Sequence, residues 1–174
     1  MTQEVKSKEL TFAKVKKEAK ENNKTEKFPL NDTTHLTYNH VFSYTKLQSM
    51  FADIQQVLPK DDTDISDKVL QNFVLFHVIK TFTKLGDQLK ATDFSGQLQE
   101  MEALIDTEFD GKSLFTLIID EVFQPQEIKK VFDMLFDSLA NTAMVKRLTE
   151  QSLLQLQELN IENKEILQNL NQVN

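Results

Sequence analysis

The chain is 174 residues long and 40% of its residues are hydrophobic, so it can bury a core without the support of metals or disulfides. It contains no cysteine, which excludes disulfides, thiolate metal sites and cysteine nucleophiles. The formal net charge of −7 and a single arginine, Arg147, argue against binding of phosphate backbones, so we do not expect nucleic acid as a partner.

Residues 1–26 are predicted to form a basic, partly flexible N-terminal arm. Residues 1–27 hold eight lysines and five glutamates, a net charge of +3 that leaves −10 on the rest of the chain. An apolar patch at Phe12 and Val15 allows two interpretations: an arm that docks on a partner or an anionic polymer, or a solvated, partly frayed helix. The density of mixed charge favours the second. Because the N-terminus lacks the hydrophobic segment of a secretory signal, we expect a cytoplasmic protein.

Residues 27–38 predict a short extended element or hairpin near the start of the core. Pro29 prevents a regular helix there, while threonine, phenylalanine and tyrosine favour a strand and an Asn-Asp pair suits a turn. A helix is expected next. Ser43 or Thr45 can cap its start, its apolar residues recur at helical spacing, and Pro59 ends it.

The stretch from Asp67 to Leu89 is predicted to be the central helix of a bundle. Its apolar residues recur so closely at spacings of three and four that the stripe extends past one face, which is typical of a helix covered on several sides. Ser66 or Asp64 can cap its start, and Gly86 marks a bend or its end. The segment is too polar to span a bilayer, so we expect no membrane contact.

The following segments are also predicted to be helical. One helix begins at Thr92 or Asp93, and residues 106–111 connect it to the apolar run 113–123. That run could be a buried strand or a short buried helix, and we favour the helix because no partner strand is evident. Pro125 suits the first turn of the next helix, where its missing amide proton costs nothing.

The predicted fold is mainly α, a single-domain bundle of about six helices, with a helical core domain at residues 27–143. Residues 144–174 are predicted to form an amphipathic C-terminal helix that is rich in glutamine and asparagine. Its apolar seam follows an approximate heptad that polar residues interrupt, so the segment either packs on the bundle or contacts a partner chain.

We predict that the protein binds other polypeptides through two amphipathic segments with narrow polar faces, residues 125–139 and the C-terminal helix. The predicted contact residues are Ile128, Val131, Phe132, Leu135, Phe136, Leu156, Leu159, Ile166 and Leu170.

No residue pattern points to catalysis. His35 and His40 lie five positions apart across the suspected turn, which is poor spacing for two ligands on one helix, and no cysteine completes a metal site. His77 lies in the most apolar stretch, where a neutral histidine bonded to a carbonyl is commoner than a catalytic base. Nucleophile and metalloprotease motifs and glycine-rich phosphate loops do not occur. We therefore predict that the protein is not an enzyme and needs no cofactor or metal.

The order of these pieces resembles the tail assembly chaperones of long-tailed phages and prophages of Gram-positive bacteria. The resemblance covers residues 28–140. It is carried by IKTFTKL at residues 79–85 and ALIDTEF at residues 103–109, followed by the run LFTLIIDEVFQPQEIKKVFDML.

This resemblance implies a function in virion assembly inside the host cytoplasm. Members of that family bind the long hydrophobic tape measure protein, keep it soluble and recruit tail tube protein; some self-associate into spirals. The expected partners are therefore the tape measure and tail tube proteins, with self-association. Composition alone equally permits a helical regulator, of phage or host, that sequesters another protein, and less readily a DNA-binding regulator that uses the lysine arm.

Overall fold

The fold, in a computed structural model, is mainly helical and forms one domain, as the sequence predicts. The model describes residues 9–59 and 65–139. Its elements, in chain order, are α1 (Phe12–Asn22), β1 (Thr25–Pro29), β2 (His35–Asn39), α2 (Tyr44–Val57), α3 (Asp67–Phe82), a 3₁₀ turn (Lys84–Asp87), α4 (Phe94–Asp106), β3 (Glu108–Phe109), β4 (Lys112–Ser113), α5 (Leu114–Leu117), a π-helical turn (Ile118–Val122) and α6 (Pro125–Leu139).

The predicted hairpin near residues 27–38 is confirmed. β1 and β2 pair antiparallel, with Phe28 opposite Leu36. The Asn31 side chain organises the turn, because its Oδ1 accepts hydrogen bonds from the backbone N–H of Thr33 and Thr34 at 2.9 and 2.8 Å. The buried Asn39 side chain donates to the backbone carbonyls of Asn23 and Lys24, which ties the link between α1 and β1 to the hairpin.

α3 is the centre of the core, as predicted, but it ends earlier than the sequence suggests. Nine of its 16 residues are buried, and Ser66 caps its start by accepting from the N–H of Val69. The helix stops at Phe82 rather than at Leu89, because Thr83 turns into an extended conformation and bridges to Tyr38 of the hairpin. This bridge to β2 supports the turn that follows α3.

The residues predicted as a plain connector between α4 and α5 form a second, very small hairpin. β3 and β4 have two residues each and pair antiparallel. Their turn places Asp110 at φ 54° and Gly111 at φ 76°, the left-handed region that tight hairpin turns require. The following apolar run is helical, as predicted: α5 passes into the π-helical turn, whose residues Ile118, Ile119 and Val122 are buried.

Aromatic rings connect the hairpin to the helices. Phe42, in the link between β2 and α2, is 1% exposed. Its ring stacks on Phe82 at the end of α3, with centroids 4.0 Å apart, and meets Phe123 edge-on at 5.0 Å. Such offset and edge-to-face pairs add specific stabilisation to the burial of their area. Phe42 therefore fixes the hairpin against two parts of the helical layer.

Candidate protein-binding surfaces and a polar cleft

The apolar face of α6, which the sequence suggests as a contact surface, is used inside the domain. Ile128, Val131, Phe132 and Leu135 are 5%, 0%, 3% and 1% exposed and belong to the core. A partner could reach these four side chains only if α6 left the core. The side chain of Phe136, and the residues Leu156, Leu159, Ile166 and Leu170, lie outside the described part, so their predicted contacts stay predictions.

A charged clamp fixes the start of α6 against Phe42. The Glu127 carboxylate accepts from the Phe42 N–H at 2.7 Å, and the Lys130 ammonium donates to the Phe42 carbonyl at 2.9 Å. The two side chains also pair with each other at 2.5 Å, and the Glu127 side chain is only 14% exposed. Hydrogen bonds to charged groups are stronger than those between neutral groups, so this clamp orients α6 for packing.

α1 has the opposite character, because none of its residues is buried. Leu10, Phe12 and Val15 are 66%, 71% and 39% exposed. Phe12, Val15 and Ala19 fall on one side of the helix, and Lys16, which lies over the Phe12 ring at 4.9 Å, borders them. We call Leu10, Phe12, Val15 and Ala19 the α1 stripe. The sequence shows this patch, and its density of mixed charge favours a solvated, partly frayed helix.

A polar cleft of about 450 Å³ opens between α2, the end of α3 and the start of α4. This volume lies within the roughly 300–1,000 Å³ range of ligand clefts. The residues that line it are Asp53, Gln56, Val57, His77, Lys80, Thr81, Gly86, Asp87, Ala91, Thr92 and Gln97. Of these, only His77 is a candidate for chemistry on sequence grounds, because the lining comes from elements that are distant along the chain.

His77 is a neutral, buried member of this cleft. It is 3% exposed, and its Nε2 lies 2.9 Å from Oε1 of Gln97, itself 4% exposed. Because Nε2 of Gln97 donates to the carbonyl of Ala91 at 3.0 Å, the amide oxygen must face the ring, and His77 therefore carries its proton on Nε2. Burial lowers the pKa of His77 to about 4; the nearby Lys80 charge also lowers it, against the Gln97 hydrogen bond.

The backbone of Ala91 is held from three directions, which gives the cleft a fixed wall. Besides Gln97, the Lys80 ammonium donates to the Ala91 carbonyl at 3.3 Å. The Glu100 carboxylate accepts from the Ala91 N–H at 2.8 Å. The same region includes Gly86, whose missing Cβ leaves room for the carbonyl of Lys80: a Cβ would lie 1.7 Å from that oxygen.

Several ionisable groups outside the cleft make local structural contacts. His40 Nδ1 lies 3.2 Å from a Glu26 carboxylate oxygen, and Lys112 pairs with Glu121. Partial burial raises the pKa of Asp120 next to that pair. Among residues 9–59 and 65–139, no group of three or more histidine or acidic side chains is placed to hold a metal ion. The same residues include no helix long and apolar enough to cross a membrane.

Comparison with protein families gives a match, over residues 12–170, to the family described as YomO. The chain belongs to the YomO family. YomO is a Bacillus prophage gene, so the protein is of phage or prophage type. No curated protein and no solved structure matches the chain.

Proposed function

We propose that this YomO-family protein is a phage tail assembly chaperone that binds the hydrophobic tape measure protein and keeps it soluble until the tail tube forms. The observation that carries the proposal is the family match over residues 12–170, which indicates a protein of phage or prophage type. Residues 28–140 resemble the tail assembly chaperones, which are also phage proteins. The mainly helical fold is also the fold expected of tail assembly chaperones.

The exposed surfaces suggest where the client docks. The α1 stripe is the contact region in the described part, since Phe12 is 71% exposed while the apolar face of α6 is buried. An isolated helix of about 11 residues is marginal in water, so α1 gains stability when an apolar client helix covers its stripe. α6 then serves the core, and the C-terminal contacts remain a second predicted surface.

The charge distribution fits a holding function without ATP or covalent chemistry. The client covers apolar side chains on the basic arm, while the remainder of the chain carries a net charge of −10. Like-charged complexes repel one another in solution, and this repulsion opposes aggregation of the bound client.

Co-expression with a tape measure protein tests the proposal. We expect a large increase in the soluble fraction of the client when this chain is present, and an equally insoluble client with and without it would show that the chaperone assignment is wrong. A regulator that sequesters a different protein would give that negative result while still co-purifying with its own target, which mass spectrometry would identify.

A double variant then locates the contact. Phe12→Ser with Val15→Ser removes the two largest side chains of the α1 stripe that lie within the helix itself, without touching the core, and it should abolish most of the solubilisation. The matched control is Lys17→Ser with Glu21→Ser, which changes the opposite side of α1 without changing net charge. Equal activity of both double variants would exclude α1 as the docking helix.

A further inference from the structure

The two borders of the α1 stripe differ in charge. Helical spacing places Lys16 and Lys20 along one border and Glu18 along the other. Glu18 is already paired, because the Lys14 ammonium lies 3.9 Å from its carboxylate. Lys16 and Lys20 form no ion pair or hydrogen bond with a described residue. We call these two side chains the lysine border.

The lysine border lies directly beside the apolar side chains. The Lys16 ammonium is 4.9 Å from the centre of the Phe12 ring, within the reach of a cation–π contact. Lys20 follows one turn later, next to Ala19 of the stripe. A helix that covers Phe12 and Val15 must place its own flanking side chains against this border. In paired helices such flanking positions form the ion pairs that select the partner.

The charge of the whole chain favours an acidic partner for α1. Residues 1–27 carry a net charge of +3, whereas the rest of the chain carries −10. A basic helix is attracted to the main part of the chain, while an acidic helix is repelled there and attracted only by the arm. An extended anionic surface, such as a membrane, would also face the acidic remainder of the chain. A single acidic helix is therefore the partner whose charge matches α1 alone.

We propose that the α1 stripe receives an amphipathic helix of the client whose apolar face is bordered on one side by aspartate or glutamate, and that these carboxylates pair with the lysine border. The proposal rests on the proposed function for the identity of the client. Apolar contact with Phe12 and Val15 supplies most of the affinity, since exposed ion pairs contribute little. The lysine border supplies the choice among apolar helices and the side on which they dock.

Fluorescence anisotropy with the full chain and labelled peptides tests the charge preference. The probe is a helical peptide of about 20 residues with leucines along one face, glutamates along one border of that face and glutamines along the other. Two comparison peptides carry glutamine or lysine in place of the glutamates. Only binding that is lost in Phe12→Ser with Val15→Ser is counted, since that variant lacks the apolar contact.

We expect the glutamate peptide to bind about fivefold more tightly than the glutamine peptide, the effect of two exposed ion pairs. The lysine peptide should bind more weakly than the glutamate peptide by more than about tenfold. Equal affinities of the three peptides would overturn the proposal.

Variants assign the preference to the lysine border. Lys20→Glu and Lys17→Glu change the net charge equally on different sides of α1, which has no buried residue. Lys20→Glu should weaken binding of the glutamate peptide by about fivefold, and Lys17→Glu by less than about twofold. Lys16→Glu with Lys20→Glu should reverse the preference, so that the lysine peptide binds more tightly than the glutamate peptide. Such a gain cannot arise from loss of folding, and an unchanged preference in this double variant would exclude the lysine border.

Vesicles of phosphatidylglycerol and phosphatidylcholine test the other anionic partner. We expect no co-sedimentation of the chain with them. Co-sedimentation that Lys20→Glu weakens, together with equal affinities for the three peptides, would overturn the proposal in favour of a membrane surface.

The outcome is separable from that of the chaperone proposal. A preference for the glutamate peptide together with a client that stays insoluble would overturn the chaperone function and leave the binding site for an acidic helix. A client kept equally soluble by the unmodified chain and by Lys16→Glu with Lys20→Glu would overturn the role of the lysine border in client binding and leave the chaperone function.

Discussion

α1 and α3 are both helices with several large apolar residues, yet they have opposite positions in the molecule. Nine of the 16 residues of α3 are buried, whereas none of the 11 residues of α1 is. In α3 the apolar residues surround the helix and are covered by its neighbours; in α1 they form one narrow stripe among lysines and glutamates. The difference indicates which apolar residues stabilise the fold and which remain accessible to another protein.

Removing one phenylalanine from each helix should give the largest contrast. Phe76 is 0% exposed, and Phe76→Ala should lower the free energy of unfolding by roughly 3–5 kcal/mol because it leaves a cavity. Phe12→Ala should change it by less than about 0.5 kcal/mol, since Phe12 is 71% exposed. Urea unfolding followed by circular dichroism measures both. Similar losses in the two variants would show that α1 packs on the core.

Substitution of Gly86 tests how closely the backbone packs at the end of α3. A Cβ at this position would lie 1.7 Å from the carbonyl oxygen of Lys80, a backbone atom that cannot swing away. We expect Gly86→Ala to cost roughly 3 kcal/mol, because the 3₁₀ turn must shift. Gly96→Ala is the matched control, with its nearest contact at 3.0 Å from the Ala91 methyl group, and it should cost less. Thermal unfolding of both variants measures the difference.

The burial of His77 in α3 should make the free energy of unfolding depend on pH, an effect to which α1, with no buried residue, does not contribute. The pKa of His77 is about 4 in the folded chain against 6.5 for a free histidine. Between pH 4 and pH 6.5 the unfolded chain binds more protons at this histidine than the folded chain does. The free energy of unfolding therefore has its full value above pH 6.5 and decreases as the pH falls toward 4. The loss from pH 7 to pH 5 should be about 2 kcal/mol.

Comparison with His77→Gln isolates this contribution, because the acidic residues titrate alike in both proteins. Urea unfolding at pH 7 and pH 5 should show a smaller loss in the variant by about 2 kcal/mol. The same pH dependence in both proteins would mean that His77 is not buried as a neutral group.

The clamp at Phe42 should have the smallest of these effects. Glu127→Ala leaves the Phe42 N–H without its acceptor and Lys130 without its partner, and should cost about 1–2 kcal/mol. Glu102→Ala, an exposed change on α4, serves as the control and should be nearly neutral. Isothermal urea titration of the two variants is the measurement. An unchanged free energy of unfolding in Glu127→Ala would show that α6 is held by its apolar face alone.

Sequence patterns predict those parts of the fold that a single segment determines. The apolar periodicity of α3, the cap at Ser66 and the turn at Asn31 are local signals, and each lies where the sequence places it. The end of α3 at Phe82 was not predictable, because it depends on the bridge between Thr83 and Tyr38, two residues far apart in the chain. β3 and β4 are too short to give an alternating pattern.

The candidate sites were harder to predict for a physical reason. An amphipathic pattern shows that a helix face is buried but does not show against what, so α6 could be expected to contact a partner while it packs inside its own domain. The cleft joins Asp53 of α2, His77 of α3 and Gln97 of α4, and proximity of this kind is set by the fold.

Hydrogen–deuterium exchange of the chain alone and with the tape measure protein tests most directly whether α1 is the accessible helix and α6 part of the core. In the isolated chain, we expect residues 12–22 to exchange rapidly and residues 125–135 to be protected together with α3. With the client bound, protection should appear in residues 12–22 while α6 stays unchanged. Loss of protection in α6 with no change in α1 would contradict the account.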